Sequence, residues 1–176
     1  ARTPVQRLAI HPADSLLAAV ENPTPGTARI TVWDWSRAAR LYAVDLPDIP
    51  LYVGFSTLGT YLVYTRADWQ SVTILDARTG YAAPYLRQGF GIVSFVAFSR
   101  TERNLMTYQP SGRISFWELR TGEKIKDVET IPDLSPRRIT EDLTTMLARS
   151  QSGLAVVDVT TGALLAEQRQ PDLLTI

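Results

Sequence analysis

Cysteine is absent from the 176 residues, and histidine occurs once, at His11. No disulfide, catalytic thiolate or clustered Cys/His metal site is available to such a chain. No apolar run approaches the roughly 18 residues of a membrane-spanning helix, so no membrane partner is expected. Neither sign of charge is in excess, since 18 Lys plus Arg balance 18 Asp plus Glu. This argues against a generally basic nucleic-acid binder and against an acidic tail. Lysine itself is scarce: Lys124 and Lys126 are the two, which leaves 16 of the 18 cations as arginine. Arginine favours planar, two-point contacts with carboxylates. Apolar residues are plentiful at 45%, ordinary for a packed domain and too many for a disordered one. The length fits one domain or two very small ones. The chain opens at Ala1 without a methionine or an apolar signal segment, which leaves open a mature product, a trimmed one or a piece of a longer protein. A cytoplasmic location is the expectation.

Internal repetition organises the chain. Ile30–Asp34, Val72–Asp76, Ile114–Glu118 and Leu154–Asp158 are apolar or β-branched runs that each end in an acidic residue. Their fourth positions are 33, 75, 117 and 157, at steps of 42, 42 and 40. A second series places Ile10, Phe55, Phe98 and Ile139 seven residues before Leu17, Leu62, Leu105 and Met146. A third follows the acidic residue as Thr79-Gly80, Thr121-Gly122 and Thr161-Gly162, with Ser36-Arg37 in the first repeat. Three series in register mark a repeat protein.

The runs within one repeat are short, β-branched and separated by turn residues, the pattern of strands. The third repeat predicts strands over Val93–Phe98, Leu105–Tyr108, Arg113–Leu119 and Lys124–Glu129. Pro110-Ser111-Gly112 and Thr121-Gly122 supply its tight turns. Each repeat is thus a four-stranded antiparallel meander. Ser115-Phe116-Trp117 and Ala155-Val156-Val157 do not alternate cleanly, so these sheets are expected to be covered on both faces. Four-stranded sheets of about 42 residues stacked face to face are the blades of a β-propeller.

The stretch from Ser111 to Glu123, with Phe116-Trp117-Glu118 and Thr121-Gly122, resembles the second half of a WD40 repeat, and Phe98-Ser99 resembles its first turn. The resemblance extends over all four repeats, residues 5 to about 170. Trp-Asp survives literally at Trp33-Asp34, while the Gly-His pair and the buried b–c Asp of that family are absent. It implies an all-β propeller, with blades at about 5–49, 50–92, 93–134 and 135–174. Because WD40-like rings commonly hold seven or eight blades, these four are expected to form part or half of a larger ring. A closed four-bladed ring and a ring of two chains are the alternatives. The Leu8/Trp33 face of the first blade and the Val157/Leu165 face of the last are expected to meet further blades or a second copy.

Candidate site residues fall in loops and strand ends. Glu21–Ala28 is the longest b–c loop, stiffened by Pro23 and Pro25. Arg66, Asp68 and Trp69 occupy the same loop of the second repeat, where an exposed Trp beside Arg is typical of binding hot spots. Phe90, between Gly89 and Gly91, offers another anchor, and Tyr108 completes the partner-binding set. His11 occupies the turn slot of Ser56 and Ser99, so a structural role is expected for it rather than a catalytic one. The recurrent acids Asp34, Asp76, Glu118 and Asp158 are expected to bind turn N–H groups. Arg137, Arg138 and Arg149 make the fourth repeat locally basic, but it has no aromatic residue for bases to stack on. No catalytic, cofactor or metal residues emerge. The expected function is a non-catalytic scaffold that binds a protein or peptide through its loops. The alternative is an accessory or gating propeller of a larger enzyme.

Overall fold

A computed structural model describes residues 4–65, 72–82 and 92–169. It contains strands and turns and no helix among those residues. The first blade is β1 (Val5–Ile10), β2 (Leu16–Glu21), β3 (Ala28–Asp34) and β4 (Ala39–Leu46). The second shows β5 (Tyr52–Phe55), β6 (Tyr61–Thr65) and β7 (Val72–Asp76), and its expected fourth strand falls largely outside the described residues. The third is β8 (Phe95–Phe98), β9 (Asn104–Tyr108), β10 (Arg113–Glu118) and β11 (Lys124–Glu129). The fourth is β12 (Ser135–Ile139), β13 (Thr145–Arg149), β14 (Gly153–Asp158) and β15 (Leu164–Arg169). Each sheet is an antiparallel meander in chain order, so the chain is an all-β propeller segment of four blades.

The cores lie between blades. One packs Ala18, Val20, Ile30 and Val32 of the first blade against Leu62, Tyr64 and Leu75 of the second. The next joins Val63, Val72 and Ile74 to Val96, Phe98, Leu105 and Trp117. The third joins Met106, Tyr108, Ile114 and Phe116 to Leu134, Met146, Ala155 and Val157. This explains the strand patterns. In β10, covered on both faces, Ile114, Ser115, Phe116 and Trp117 are all buried. In β14, covered on one face, Ala155 and Val157 are buried while Leu154 is 46% exposed. Phe98, Leu62 and Leu105 are buried as the repeat predicts, and Phe55 is partly buried against the first core. Val157 is a correction: it faces the third blade and is fully buried, so it is no part of a free face.

Polar bonds stitch neighbouring blades at equivalent turns. His11 Nδ1 accepts from the N–H groups of Ala13 (3.1 Å) and Asp14 (2.8 Å). Its Nε2 therefore carries the proton and donates to the Gly59 carbonyl at 2.9 Å, linking the first a–b turn to the second. The next turn reaches onward: Thr57 Oγ1 donates to the Phe98 carbonyl (3.1 Å), and the Leu58 N–H donates to Glu102 Oε1 (2.7 Å). The Arg100 N–H then donates to the Glu141 carbonyl at 2.7 Å. At the outer strands, Tyr42 Oη donates to the Ala77 carbonyl (3.1 Å), and Lys126 Nζ, at the equivalent position, donates to the Thr160 carbonyl (3.0 Å). His11 thus has the structural role its slot implies and adds an inter-blade tie, since Ser56 Oγ and Ser99 Oγ accept only from N–H groups of their own blades, Tyr61 and Asn104.

Candidate functional site

The first strands of successive blades run along the inner edge of the arc, where Arg7 Nε donates to the Pro50 carbonyl at 2.9 Å. Beside the inner strands β5, β8 and β12 lies a cleft of about 430 Å³. Tyr52, Phe55 and Phe95 supply an aromatic wall, with Tyr52 and Phe95 edge to face at 5.9 Å. Arg137 and Arg138 enter from β12, with Thr140 and Glu141 just beyond. Adjacent strand residues normally point to opposite faces. Here the pairing with β13 slips between Pro136 and Arg138, so Arg137 sits in a bulge, and both arginines border the cleft.

Charge in the cleft is one-sided. Glu141 is paired with Arg100, Nε to Oε2 at 3.5 Å. Among the described residues, Arg137 and Arg138 have neither a hydrogen-bond nor an ion-pair partner. Both are exposed, so they bring two uncompensated guanidinium groups to a partly apolar recess. Such a site accepts carboxylates two points at a time. A second depression, of about 530 Å³, is lined by Tyr61, Glu102, Arg103, Glu118, Leu119 and Arg120, where the charges alternate and offer no net sign. Among the described residues, no three His, Asp or Glu side chains converge, and no helix is long and apolar enough to cross a membrane.

The loop candidates Arg66, Asp68, Trp69 and Phe90 lie outside the described residues. Tyr108 is a correction. It was expected at the interaction surface, but it is fully buried between the third and fourth blades. Its hydroxyl accepts from the Leu134 N–H at 3.0 Å, and burial pushes its pKa up. Tyr108 therefore anchors the segment between blades. Arg137 and Arg138 were legible only as a basic cluster. Their convergence with Tyr52 and Phe95, more than 40 residues away, comes from the stacking of the blades.

Three of the four recurrent acids bind turn N–H groups as the repeat predicts; the fourth, Glu118, is a correction, since its longer side chain accepts from the Thr121 hydroxyl at 2.7 Å instead. Asp34 Oδ1 accepts from the Ser36 and Arg37 N–H groups and from the Ser36 hydroxyl (2.6 Å). Asp76 Oδ1 accepts from the N–H groups of Arg78 and Thr79 and from the Thr79 hydroxyl (2.8 Å). Asp158 Oδ1 does the same with Thr160. The Ser36 and Thr160 hydroxyls hold the carboxyls of Asp34 and Asp158 below the usual range. At Asp76 burial alone would raise the pKa, but the bonds from Thr79 and Arg78 outweigh it and the net shift is downward. Such a group adds stability above its unfolded pKa, near about 4, and loses it as pH falls through its lower folded value. The denaturation midpoint in urea is therefore expected to be lower at about pH 3 than at about pH 7, and the double variant Asp76→Asn/Asp158→Asn to show a smaller drop. A wild-type midpoint that does not move over this range would refute the assignment.

The comparisons with known proteins agree with this architecture. A hydrazine synthase chain from Kuenenia stuttgartiensis superposes with a TM-score of 0.66 at 18% identity, over 90% of this chain and 47% of that one. At that identity the likeness is one of fold. An uncharacterised protein of Treponema pallidum (strain Nichols) is 23% identical over 163 residues, 93% of this chain. The chain spans about a quarter of that relative's length, 26%. A family model described as an N-terminal beta-propeller domain matches residues 1–171, and the chain belongs to that family of propeller domains.

Proposed function

We propose that this chain is a non-catalytic interaction module that holds an extended acidic segment of a protein partner against its inner strands. One observation carries the reading: Arg137 and Arg138, unpaired among the described residues, border the same cleft as Tyr52 and Phe95. Guanidinium groups next to an apolar wall bind a carboxylate side chain and the carbon chain beside it together. Arg66, Asp68, Trp69 and Phe90 are proposed as further partner contacts, as an Arg beside a Trp is typical of binding hot spots. Propeller blades hold such residues rigidly, so little rearrangement accompanies binding.

The test is fluorescence polarisation with a labelled peptide of alternating glutamate and leucine, against a lysine-leucine control. Saturable binding of the acidic peptide alone is expected, with Arg137→Ala/Arg138→Ala weakening it by about tenfold or more, since hydrogen bonds to charged groups contribute roughly 1.5–3 kcal/mol each. Equal binding of both peptides, or an unaffected double variant, would overturn it. A second reading, an accessory propeller serving a catalytic domain, is favoured by the relative's length, of which this chain spans 26%.

A further inference from the structure

The repeat does not require the aromatic wall of the inner cleft. Tyr52 and Phe95 stand three residues before the anchors Phe55 and Phe98, and the same slot holds Arg7 before Ile10 and Pro136 before Ile139. A first strand therefore forms with a cation or a proline there as well as with a ring. Even so, three of the chain's five phenylalanines, Phe55, Phe95 and Phe98, line this one cleft beside Tyr52. Phe98 is buried and serves the core, whereas Tyr52, Phe55 and Phe95 are only half-buried, which leaves part of each ring uncovered. Large rings held partly wet on rigid strands are the residues that anchor interfaces.

The geometry of the wall suits another ring. Tyr52 and Phe95 meet edge to face, with centroids 5.9 Å apart and ring planes at 63°. A third ring can join such a pair in the same manner and gain more than its buried area supplies, while an aliphatic side chain gains the area alone. Gly54 seats the wall. Ala9, Ala97 and Arg138 hold its position in the other first strands, but a Cβ on Gly54 would strike the Tyr52 hydroxyl and ring. On the opposite border, a guanidinium group binds a carboxylate with its N–H edge and stacks on an aromatic ring with its face. Both borders thus favour a ring next to an anion. Nucleic acid fits less well, because the wall rings are tilted against each other and the chain has no net charge, unlike the flat basic platforms on which bases stack.

We infer that the acidic segment carries an aromatic residue directly beside its acidic one, the ring docking against Tyr52 and Phe95 and the carboxylate on Arg137 and Arg138. This rests on the reading of the cleft as the site of an acidic segment, and adds what stands next to the acid. The wall comes from β5 and β8 and the arginines from β12. Adjacent residues of an extended segment point to opposite sides, so neighbours in sequence reach the two borders. The cleft, about 430 Å³, is at the lower end of the roughly 300–1,000 Å³ of small-ligand sites and takes a few side chains rather than a folded surface.

Fluorescence polarisation with a labelled peptide alternating glutamate and phenylalanine tests this. Unlabelled competitors of the same length alternate glutamate with phenylalanine, cyclohexylalanine or leucine. Cyclohexylalanine matches the ring in bulk but lacks its charge distribution. The phenylalanine peptide should compete about threefold to tenfold better than the other two. Tyr52→Leu and Phe95→Leu, each checked for an unchanged circular dichroism spectrum, should each bring that ratio close to one, and Tyr52→Leu serves alone if Phe95→Leu does not fold. A phenylalanine peptide no better than its cyclohexylalanine counterpart, or a preference that survives these substitutions, would overturn the inference and leave the acidic-segment reading standing. Absence of saturable binding by any glutamate peptide would sink that reading and the inference together. A short oligothymidylate that displaces the labelled peptide as well as the phenylalanine competitor does would refute both in favour of single-stranded nucleic acid.

Discussion

Phe98→Ala is expected to lower the unfolding free energy by about 3–5 kcal/mol, read as a reduced urea midpoint with little change in slope. Phe98 closes the first strand of the third blade and is 6% exposed. It packs with Val63, Ile74, Leu105 and Trp117, and its ring stacks on Tyr61 with centroids 6.2 Å apart. Removing the ring loses the burial of the aromatic surface and leaves a cavity between two sheets. Those sheets are held by their own hydrogen-bond ladders, which resist collapse into the space. Trp117 limits relaxation further, because its Nε1 donates to Thr107 Oγ1 at 3.0 Å and fixes the indole. A loss below about 1 kcal/mol would place Phe98 outside the core and break the register of the repeats.

Gly162→Ala is expected to destabilise the chain by about 2–4 kcal/mol, and Gly26→Ala by only about 1–2 kcal/mol. Both glycines have positive φ, +80° and +83°, so the left-handed cost is common to the pair. They differ in surroundings. A Cβ on Gly26 meets nothing, whereas one on Gly162 lands on the carbonyl of Glu129, backbone of the preceding blade's outer strand. Backbone in a paired strand yields little, so the fourth blade would have to move off the third. Comparing the two variants by thermal or urea unfolding separates conformational strain from lost blade packing. Equal losses would show that the c–d turn does not set the inter-blade distance. The first blade shows the converse. Its equivalent position is Ala38, which carries a Cβ at φ 49°.

The meanders were legible because each level of the sequence agrees with the next. Thr-Gly after an acid makes a turn whatever surrounds it, because the acid's own oxygen accepts the turn N–H groups. A β-branched run makes a strand for equally local reasons. The seven-residue step from Phe98 to Leu105 is a hairpin register, set by a turn of fixed length. These readings needed no knowledge of the third dimension. The turn role of His11 followed from its slot, but its bond to the next blade did not, because Ser56 and Ser99 bond within their own turns.

Exposure was a different matter, because a strand does not encode whether a neighbour covers it. Tyr108 resembles an interface residue by type but is fully buried, since a fourth blade lies against its face. Val157 seemed to belong to a free end, yet it points inward, while Val156 beside it points out. The inner cleft has the same origin: Arg137 and Arg138 come to border one cleft with Tyr52 and Phe95 only because the blades stack. By itself the sequence determined the strands, turns and repeat, which rest on contacts within about ten residues. The tertiary structure alone decided which faces are covered and which charges converge, because those depend on contacts between blades about forty residues apart, where chain connectivity no longer constrains which side chains meet.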